Sequence, residues 1–512
     1  MLRWLLPQDK LAEADVDHGM RMLLYDGALA QVMGVLTGGA FLVAFALLLG
    51  APNKVIGLLA AIGPASQVLQ IPTIFLVERT RKRKLLTVGG AFASRLFMVL
   101  IALIPWFAPP ASRLPILIIA LFAYFGFGAI AGCSINSWIR DLIPERVMGA
   151  YFAKRMAVAI AVGAVLSILG AAGVDFFKAR VAQETTVYSG LFGVGVAFGL
   201  VSLVFLARVP EPRMADSKSG GLVAVLAGPF KDLHFRNLLF FLGSWNFAVN
   251  LAGPFFAVYM LRRLGLSMTW VLGLSVISQL MNVLFLRLWG RLSDRFSNKS
   301  VLAASGPLFM LSILLWPFTT MPDKYFLTFP LLIAIHVLAG ISIAGVMLCA
   351  GNLALKSAPR GTATSYLAVN SLVSGVAATL APIIAGFAAD WFDPQRITVD
   401  LSWAHALRGT AFQLKAISVS GLDFLFILSF IVGLYAMHRL SLIKEEGEVE
   451  EGVVMTEFYG EVRRGVSHVS NVPGLRQLTG FPYGMLKAMV DKAIPNRRNG
   501  GDEPPSEAGA DI

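Results

Sequence analysis

The chain has 512 residues, of which 56% are hydrophobic and only 14% are charged, and its formal net charge is +12. A soluble domain carries about 25% charged residues, so this composition excludes a protein that is wetted over its whole surface. It also argues against nucleic-acid binding, because the basic residues lie in short loops between apolar segments, where they set membrane topology.

Apolar segments recur along the chain, and about 20 such residues suffice for one helical crossing of a bilayer. Twelve segments meet this criterion, near residues 28–50, 55–77, 85–107, 114–138, 152–175, 188–207, 237–261, 266–288, 300–318, 327–350, 366–389 and 419–439. The pattern predicts an all-α membrane protein with about twelve transmembrane helices.

The loops differ in charge. Those near 78–84, 140–155, 208–236, 287–299 and 356–360 together hold twice as many Lys and Arg residues as the alternate loops. Positively charged loops stay in the cytoplasm, so these loops and, with an even number of spans, both termini are predicted to be cytoplasmic. The short loops favour a bacterial inner membrane.

The sequence divides into five parts. We predict a cytoplasmic N-terminal segment (1–19), a six-helix bundle (20–207), a central cytoplasmic loop (208–236), a second six-helix bundle (237–439) and a cytoplasmic tail (440–512). Within the tail, GMLKAMVDKAI (484–494) is typical of a short interfacial helix. The final stretch, from Pro495 onwards, has the composition of a disordered segment.

The two halves of the chain repeat each other. At a shift of 216 residues, LVERTRKRKLLTVGG (76–90) falls on LSDRFSNKSVLAASG (292–306). At a shift of 215, residues 144–177 fall on 359–392 without a gap, and Asp175 meets Asp390. Shared apolar composition does not explain matches between polar residues. The repeat therefore predicts two pseudo-symmetric bundles.

A polar turn, GRLSDRFSNK (290–299), follows the second helix of the second half. Its Gly290, Asp294, Arg295 and Lys299 match the loop pattern of the major facilitator superfamily, which the chain resembles over roughly residues 20–440. Asn298 departs from a basic position in that pattern. The first copy is degraded, with Glu78 in place of Asp, followed by Arg79.

The resemblance implies transport by alternating access, in which two halves rock about a central cavity. It also implies a gating role for the turn, and the physical chemistry of the residues agrees. A glycine permits close helix approach, and an acid near a helix N-terminus meets the positive end of the dipole. The candidate gating residues are Glu78, Arg79, Gly290, Asp294, Arg295 and Lys299. The alternative is a simple topology signal.

Polar residues within the predicted spans are candidate substrate contacts, because such groups are costly in lipid. Arg95 and His336 each lie about ten residues into a span, near the bilayer centre. Arg95 suits an anionic substrate group, and His336 titrates near neutral pH. The remaining candidates are Gln31, Gln67, Trp245, Asn246, Asn250 and Asn282. Structural hydrogen bonding between helices is the alternative for all of them.

Carboxylates are expected only at the edges of the spans, with Asp26 at the cytoplasmic edge. Proton coupling would then depend on His336 or on Asp26, or would be absent. The two cysteines, Cys133 and Cys349, lie in apolar segments and form neither a disulfide framework nor a metal-ligand spacing. No phosphate loop or catalytic set stands out, so we expect no enzyme, no metal and no cofactor.

Three functions fit these features. The favoured one is secondary active or facilitative transport of a small anionic or amphiphilic molecule, with or without a coupling ion. A lipid or lipophile transporter on the same scaffold is the second, and the 36 Phe residues keep it open. The third is a membrane receptor or assembly factor that transports nothing. In each case we expect a monomer in the lipid bilayer.

Overall fold

The computed structural model describes residues 8, 11–214, 229–320, 324–358, 363–405, 410–445 and 447–469. Within these residues, 11 helices are long and apolar enough to cross a membrane, and a further apolar helix, Asn298–Leu314, is shorter. The predicted all-α membrane fold of about twelve crossings is confirmed.

The first half makes six crossings. They are formed by α1 (Glu13–Thr37) with α2 (Gly39–Leu48), α3 (Asn53–Ser66) with α4 (Gln70–Thr80), α5 (Arg83–Phe107), α6 (Pro110–Leu142), α7 (Glu145–Lys178) and α8 (Glu184–Ala207). Helix α1 begins inside the segment predicted to precede the first bundle, so the helix extends well beyond the apolar residues.

The second half makes six more crossings. They are α9 (Leu233–Val258, continued by a π-helical turn, Tyr259–Arg263), α10 (Met268–Arg295), α11 (Asn298–Leu314), α12 (Thr328–Lys356), α13 (Ala363–Phe392) and α14 (Leu422–Ser441). Helix α11 has only 17 residues and is followed by a mostly buried 3-10 turn, Trp316–Thr319. Proline at position 317 lacks the N–H that a continuing helix needs.

The first crossing is broken in its middle. Helix α1 ends at Thr37, Gly38 is extended, and α2 restarts at Gly39 with φ at 52°. A residue with a side chain rarely adopts this left-handed conformation, so the paired glycines permit the break. The break leaves backbone groups of both helix ends inside the protein rather than at the membrane surface.

A β-hairpin, which the sequence analysis missed, lies between α13 and α14. Strand β1 (Arg396–His405) pairs antiparallel with β2 (Thr410–Ser420), and a bulge follows Val399. We call the end of the bundles that carries this hairpin the hairpin end. The opposite end, which carries residues 81–84 and 296–299, is the basic-loop end.

Helix packing follows the internal repeat. In the first half α5 packs against α6 and α8, while α1 packs against α7 and α8. In the second half α11 packs against α12 and α14, while α9 packs against α13 and α14. Equivalent helices therefore have equivalent neighbours, and the predicted pair of pseudo-symmetric six-helix bundles is confirmed. The boundaries given above for the five parts stay a prediction.

The tail forms a separate unit that begins at Glu450. Its described part is an amphipathic helix, α15 (Glu451–Val469), which the sequence analysis did not predict. The interfacial helix predicted at 484–494 and the disorder predicted beyond it lie outside the described residues.

Candidate functional site

The two bundles meet mainly along two helix pairs, α3 with α13 and α7 with α10. The internal repeat relates one pair to the other. Where α3 crosses α13, a Cβ added to Gly57 would lie 2.1 Å from the carbonyl oxygen of Pro382, and one added to Gly386 would lie 2.8 Å from the oxygen of Asn53. The two backbones are therefore in direct contact near the hairpin end.

Two carboxylates join the bundles at the hairpin end. Asp390 near the end of α13 accepts the backbone N–H groups of Asn53 and Lys54 at 2.9 and 3.1 Å. Asp175 near the end of α7 accepts those of Met268 and Thr269 at 3.0 and 2.8 Å. Each acid thus caps the first turn of a helix in the opposite bundle.

Among the described residues, the second crossing makes its main contacts with the other bundle through its first helix, α3. Toward the basic-loop end it continues as α4, whose main helix neighbours are α6 and α5 of its own bundle. The close contacts of α3 with α13 therefore do not extend along the whole crossing. The seam between the bundles is closed by backbone contact and by the aspartate caps at the hairpin end.

A cavity of about 560 Å³ lies in this seam, and we call it the apolar lobe. Its polar side chains are Ser275 and His336, and the rest of its lining is largely aliphatic and aromatic. The lining includes Val43, Ile56, Ala60, Pro64, Phe125, Phe256, Ala257, Met260 and Val271. Its volume lies within the usual range for small-molecule sites, about 300–1,000 Å³.

A second cavity of about 340 Å³ adjoins the first, and we call it the polar lobe. Its lining carries the side chains of Gln31, Ser167, Ser275 and Gln279. Both lobes are lined by Gly39, Ala40 and Ser275, so they meet at the break in the first crossing. Two adjacent cavities with a shared wall therefore offer an apolar lining on one side and amide and hydroxyl groups on the other.

At the basic-loop end, Arg83 is fully buried. Its guanidinium lies 2.5 Å from Asp141 and donates to the carbonyl of Pro212 at 2.7 Å. Its backbone N–H donates to Glu211 at 2.7 Å. Burial raises the pKa of Glu211, while hydrogen bonds from the backbone of Arg83 and Lys84 oppose that rise. These contacts fix the start of the central loop against α5 and α6.

The second half repeats this arrangement. The backbone N–H of Lys299, the repeat partner of Arg83, donates to Glu445 at 2.7 Å. Glu445 also accepts from Asn298 at 2.9 Å and lies 3.4 Å from Lys356. In each half, therefore, a glutamate that follows the sixth crossing caps the helix of the third. The contacts of Arg83 and Lys299 lie within a bundle.

The sequence profile of the Major Facilitator Superfamily matches residues 27–382 and 270–411, which together span about three quarters of the chain. The chain belongs to the major facilitator superfamily. It is therefore a multi-pass membrane transporter of small molecules. No curated protein matches its sequence.

Solved structures of superfamily transporters share the fold at low sequence identity. The nucleoside transporter NupG, in a single-site variant, is 12% identical with a TM-score of 0.63, and the match covers 84% of this chain and 100% of NupG. A POT family transporter in complex with 5-aminolevulinic acid is 12% identical, with a TM-score of 0.56 and coverage of 85% and 98%. A bacterial homolog of the human lysosomal transporter Spinster is 13% identical, with a TM-score of 0.55 and coverage of 83% and 95%.

Of the eight predicted substrate contacts, Gln31 and His336 line the described cavities of this superfamily member. The Nδ1 atom of His336 lies 2.8 Å from the carbonyl oxygen of Leu332, and its ring packs edge-on against Trp316. Whether either residue contacts substrate stays a prediction.

Arg95 occupies a different place, inside the first bundle. Its guanidinium donates to the carbonyls of Gly199 and Ala91 at 2.6 and 2.9 Å and to Ser202 at 2.8 Å. This full set of internal partners favours the structural alternative, and Arg95 is not among the lining residues of either lobe. Substrate contact by Arg95 stays a prediction.

Asp26 has buried surroundings that the sequence analysis did not predict. Asp26 was expected at the cytoplasmic edge, but it is 4% exposed and has Arg95, Arg155 and Ser202 as its electrostatic and hydrogen-bond neighbours. Its Oδ1 atom is buried without a hydrogen-bond partner. Helix α1 begins at Glu13, so Asp26 lies well inside the helix, and its position at the membrane edge stays a prediction.

The other candidates lie elsewhere. Trp245 is buried between Phe241 and Phe309 inside the second bundle. Asn246 donates to the carbonyl of Leu242 and to Ser374, and so joins α9 to α13, while Asn250 donates to the carbonyl of Asn246. Gln67 is exposed and hydrogen bonds with Gln70, and Asn282 is half-buried. None of these residues is among those that line the two lobes.

The predicted gating residues lie at the basic-loop end. Asp294, Arg295 and Arg79 are exposed, and Glu78 is half-buried. Gly290 has room for a Cβ, since the nearest atom, on Leu348, would be 3.7 Å away. Lys299 pairs with Glu448 at 2.7 Å. The closed contact between the bundles is therefore at the opposite end, and a gating role for this turn stays a prediction.

Sequence reasoning missed most of the cavity wall. Phe125, Phe256, Met260 and Ser275 were not singled out, although they line the site. The sequence offered one usable signal, the Gly38–Gly39 pair inside an apolar span, which marks a helix break of the kind that lines transporter sites.

Proposed function

We propose that this protein moves a small amphiphilic molecule across the membrane by rocking its two bundles about the two-lobed cavity. The observation that carries the proposal is the junction of an apolar and a polar lobe at Ser275 in the seam between the bundles. A molecule with an apolar body and an uncharged or weakly polar head matches both walls.

The chemistry of the lining supports this substrate class over a strongly charged anion. Among the residues that line the two lobes, none is Lys, Arg, Asp or Glu. A multiply charged ligand would lose its hydration without gaining an opposite charge, which is costly in a site of low dielectric constant. Amide and hydroxyl side chains such as Gln31 and Ser167 instead suit a neutral polar head.

The mechanism follows from where the seam is closed. In the proposed orientation the hairpin end faces outward, because the basic loops lie at the opposite end. Substrate then reaches the cavity from the cytoplasmic side in this state. Separation of α3 from α13 and of α7 from α10 at the hairpin end would expose the same cavity to the outside.

The test uses purified protein reconstituted in liposomes and a panel of amphiphilic drugs, nucleosides, small anions and single-chain lipids. We expect transport of an amphiphile, and Gln31→Leu in the polar lobe should lower it about tenfold, the cost of one well-placed hydrogen bond. Gln183→Leu is the matched control, because Gln183 is exposed and lies outside both lobes, so its loss should leave transport unchanged. Equal effects of the two substitutions, or preferred transport of a small multivalent anion, would contradict the proposal.

A lipid or lipophile transporter remains the alternative function, favoured by the greater volume of the apolar lobe. Transport of single-chain lipids from the panel, unaffected by Gln31→Leu, would support it. A receptor or assembly factor, the third possibility, would transport no member of the panel.

A further inference from the structure

We infer that Asp175 and Asp390 are the gating residues of the hairpin end, a matched pair of carboxylate caps that must release their helices before the bundles can separate there. Both acids are half-buried. Each is bonded to two backbone N–H groups of the opposite bundle, at distances between 2.8 and 3.1 Å.

The two contacts are copies of one another. The 215-residue shift that relates Asp175 to Asp390 also relates Asn53 to Met268 and Lys54 to Thr269. A chance contact across the seam would not be expected twice at matching positions. Both helix pairs that join the bundles therefore carry the same carboxylate cap.

The capped helices depend on the opposite bundle for these bonds. The first N–H groups of a helix have no partner within the helix. The residue before α3 is Pro52, which provides no side-chain cap, so Asp390 supplies the missing acceptors. Helix α10, which begins at Met268, is capped in part by Ser267, whose hydroxyl accepts from the backbone N–H of Trp270. Asp175 accepts the backbone N–H groups of Met268 and Thr269.

The strength of such a contact suits a gate. A carboxylate at a helix N-terminus gains from hydrogen bonds and from the helix dipole, but both partners can be hydrated when they separate. The contact therefore favours the closed state without locking it. A buried ion pair would cost more to separate wherever water did not reach both groups, because each charge would then be left unpaired in the interior.

The experiment measures access to the apolar lobe and needs no substrate, so its outcome is independent of which molecule is carried. It uses full-length protein with Cys133→Ser, Cys349→Ala and a reporter Ala257→Cys on the cavity wall. A membrane-impermeant maleimide is applied to right-side-out and to inverted membrane vesicles, and the labelling rate is measured in each.

We expect Asp175→Ala and Asp390→Ala each to raise labelling from the hairpin side roughly fivefold, and the double variant roughly 25-fold, since the two helix pairs are separate. The Asn variants, which keep one acceptor oxygen, should show smaller increases. Asp393→Asn is the matched control, because Asp393 is exposed at the same end of α13. It should leave the rate unchanged.

Thermal unfolding in detergent separates a gating role from a purely structural one. A structural cap would lower the melting temperature without changing the ratio of labelling from the two sides. Unchanged labelling in the double variant, or an equal increase with Asp393→Asn, would overturn the inference. If the Ala variants fail to fold, the Asn variants provide the same comparison.

Discussion

Arg83 and Glu211 are joined at the basic-loop end by the backbone N–H of the arginine, which donates to the glutamate at 2.7 Å, while Arg83 Nε lies 3.6 Å from the same carboxylate. Neither side chain is more than 2% exposed. The pair fastens the start of the central loop to the first bundle.

We predict that Arg83→Gln destabilises the protein by about 3 kcal/mol, because it removes a buried charge that pairs with Asp141 and lies beside the buried carboxylate of Glu211. The measurement is thermal unfolding of purified protein in detergent, together with the yield of folded protein. Arg79→Gln is the control from the last turn of the preceding helix, α4, since Arg79 is exposed. Similar melting temperatures for the two variants would contradict a structural role for Arg83.

We predict that Gly57→Ala opens the hairpin end. The added Cβ would lie 2.1 Å from the oxygen of Pro382, so α3 and α13 must move apart. Overpacking of this kind costs about 1–3 kcal/mol, and labelling of Ala257→Cys from the hairpin side should rise roughly tenfold. Gly173→Ala on α7 serves for comparison, because no atom lies within 4 Å of its added Cβ. A rise in both variants would show that the close approach is not responsible.

We predict that Asp26, rather than His336, carries any proton that is coupled to transport. Asp26 is buried beside Arg95, and one of its oxygens lacks a hydrogen-bond partner. A carboxylate in this setting can alternate between pairing with the arginine and binding a proton. Asp26→Asn should therefore abolish accumulation driven by a pH gradient while exchange without a gradient continues. His336→Gln should retain accumulation, and the reverse pattern would assign the coupling to the histidine.

We predict a pH-dependent contact between Lys299 and Glu448. The hydrogen bond from Lys299 holds the pKa of Glu448 below its ordinary value. A lowered pKa in the folded state means that the contact stabilises the fold above the ordinary glutamate pKa of about 4.3, and that this stabilisation is lost as the pH falls through the lower folded pKa. Because Glu448 is largely exposed, the effect should be only about 0.5 kcal/mol.

This contact is tested by comparing the wild type with Glu448→Gln in thermal unfolding from pH 7 to pH 3.5. The difference in melting temperature should shrink as the pH falls. A difference that stays constant across this range would show that the charge of Glu448 does not contribute.

The crossings and the repeat were predictable because both depend on local properties of the chain. Twelve apolar segments are long enough to span the bilayer. Matched polar pairs such as Asp175 and Asp390 indicate the repeat, because a shared apolar composition would not produce them. The same acids were recognised only as residues at the span edges. Their helix-capping role depends on contacts between residues more than 90 positions apart.

The hairpin was missed although its signal is present. Ile397, Val399, Leu401 and Trp403 alternate with polar or small residues, which is typical of a strand. The search for long apolar segments passed over this pattern, because each strand is too short and too polar to resemble a spanning helix. A separate search for alternation in the loops would have found it.

The cavity wall could not be predicted from the sequence. An apolar residue that faces lipid and one that faces a cavity, such as Met260, carry the same local signal. The role of Arg95 was equally hidden, because its partners are carbonyl groups that become available only when α5 packs against α8. The sequence analysis therefore favoured polar residues as substrate contacts, whereas the cavities are lined mostly by apolar residues.

The short helix α11 has a consequence for the surrounding lipid. Its 17 residues rise about 25 Å, whereas the hydrocarbon layer of a typical bilayer is about 30 Å thick. Most of α11 is buried against its neighbours, so protein covers much of the shortfall, and only lipid that reaches its exposed residues must thin locally at a cost in free energy. That cost grows with the thickness of the bilayer, so the folded protein should be less stable in thicker membranes.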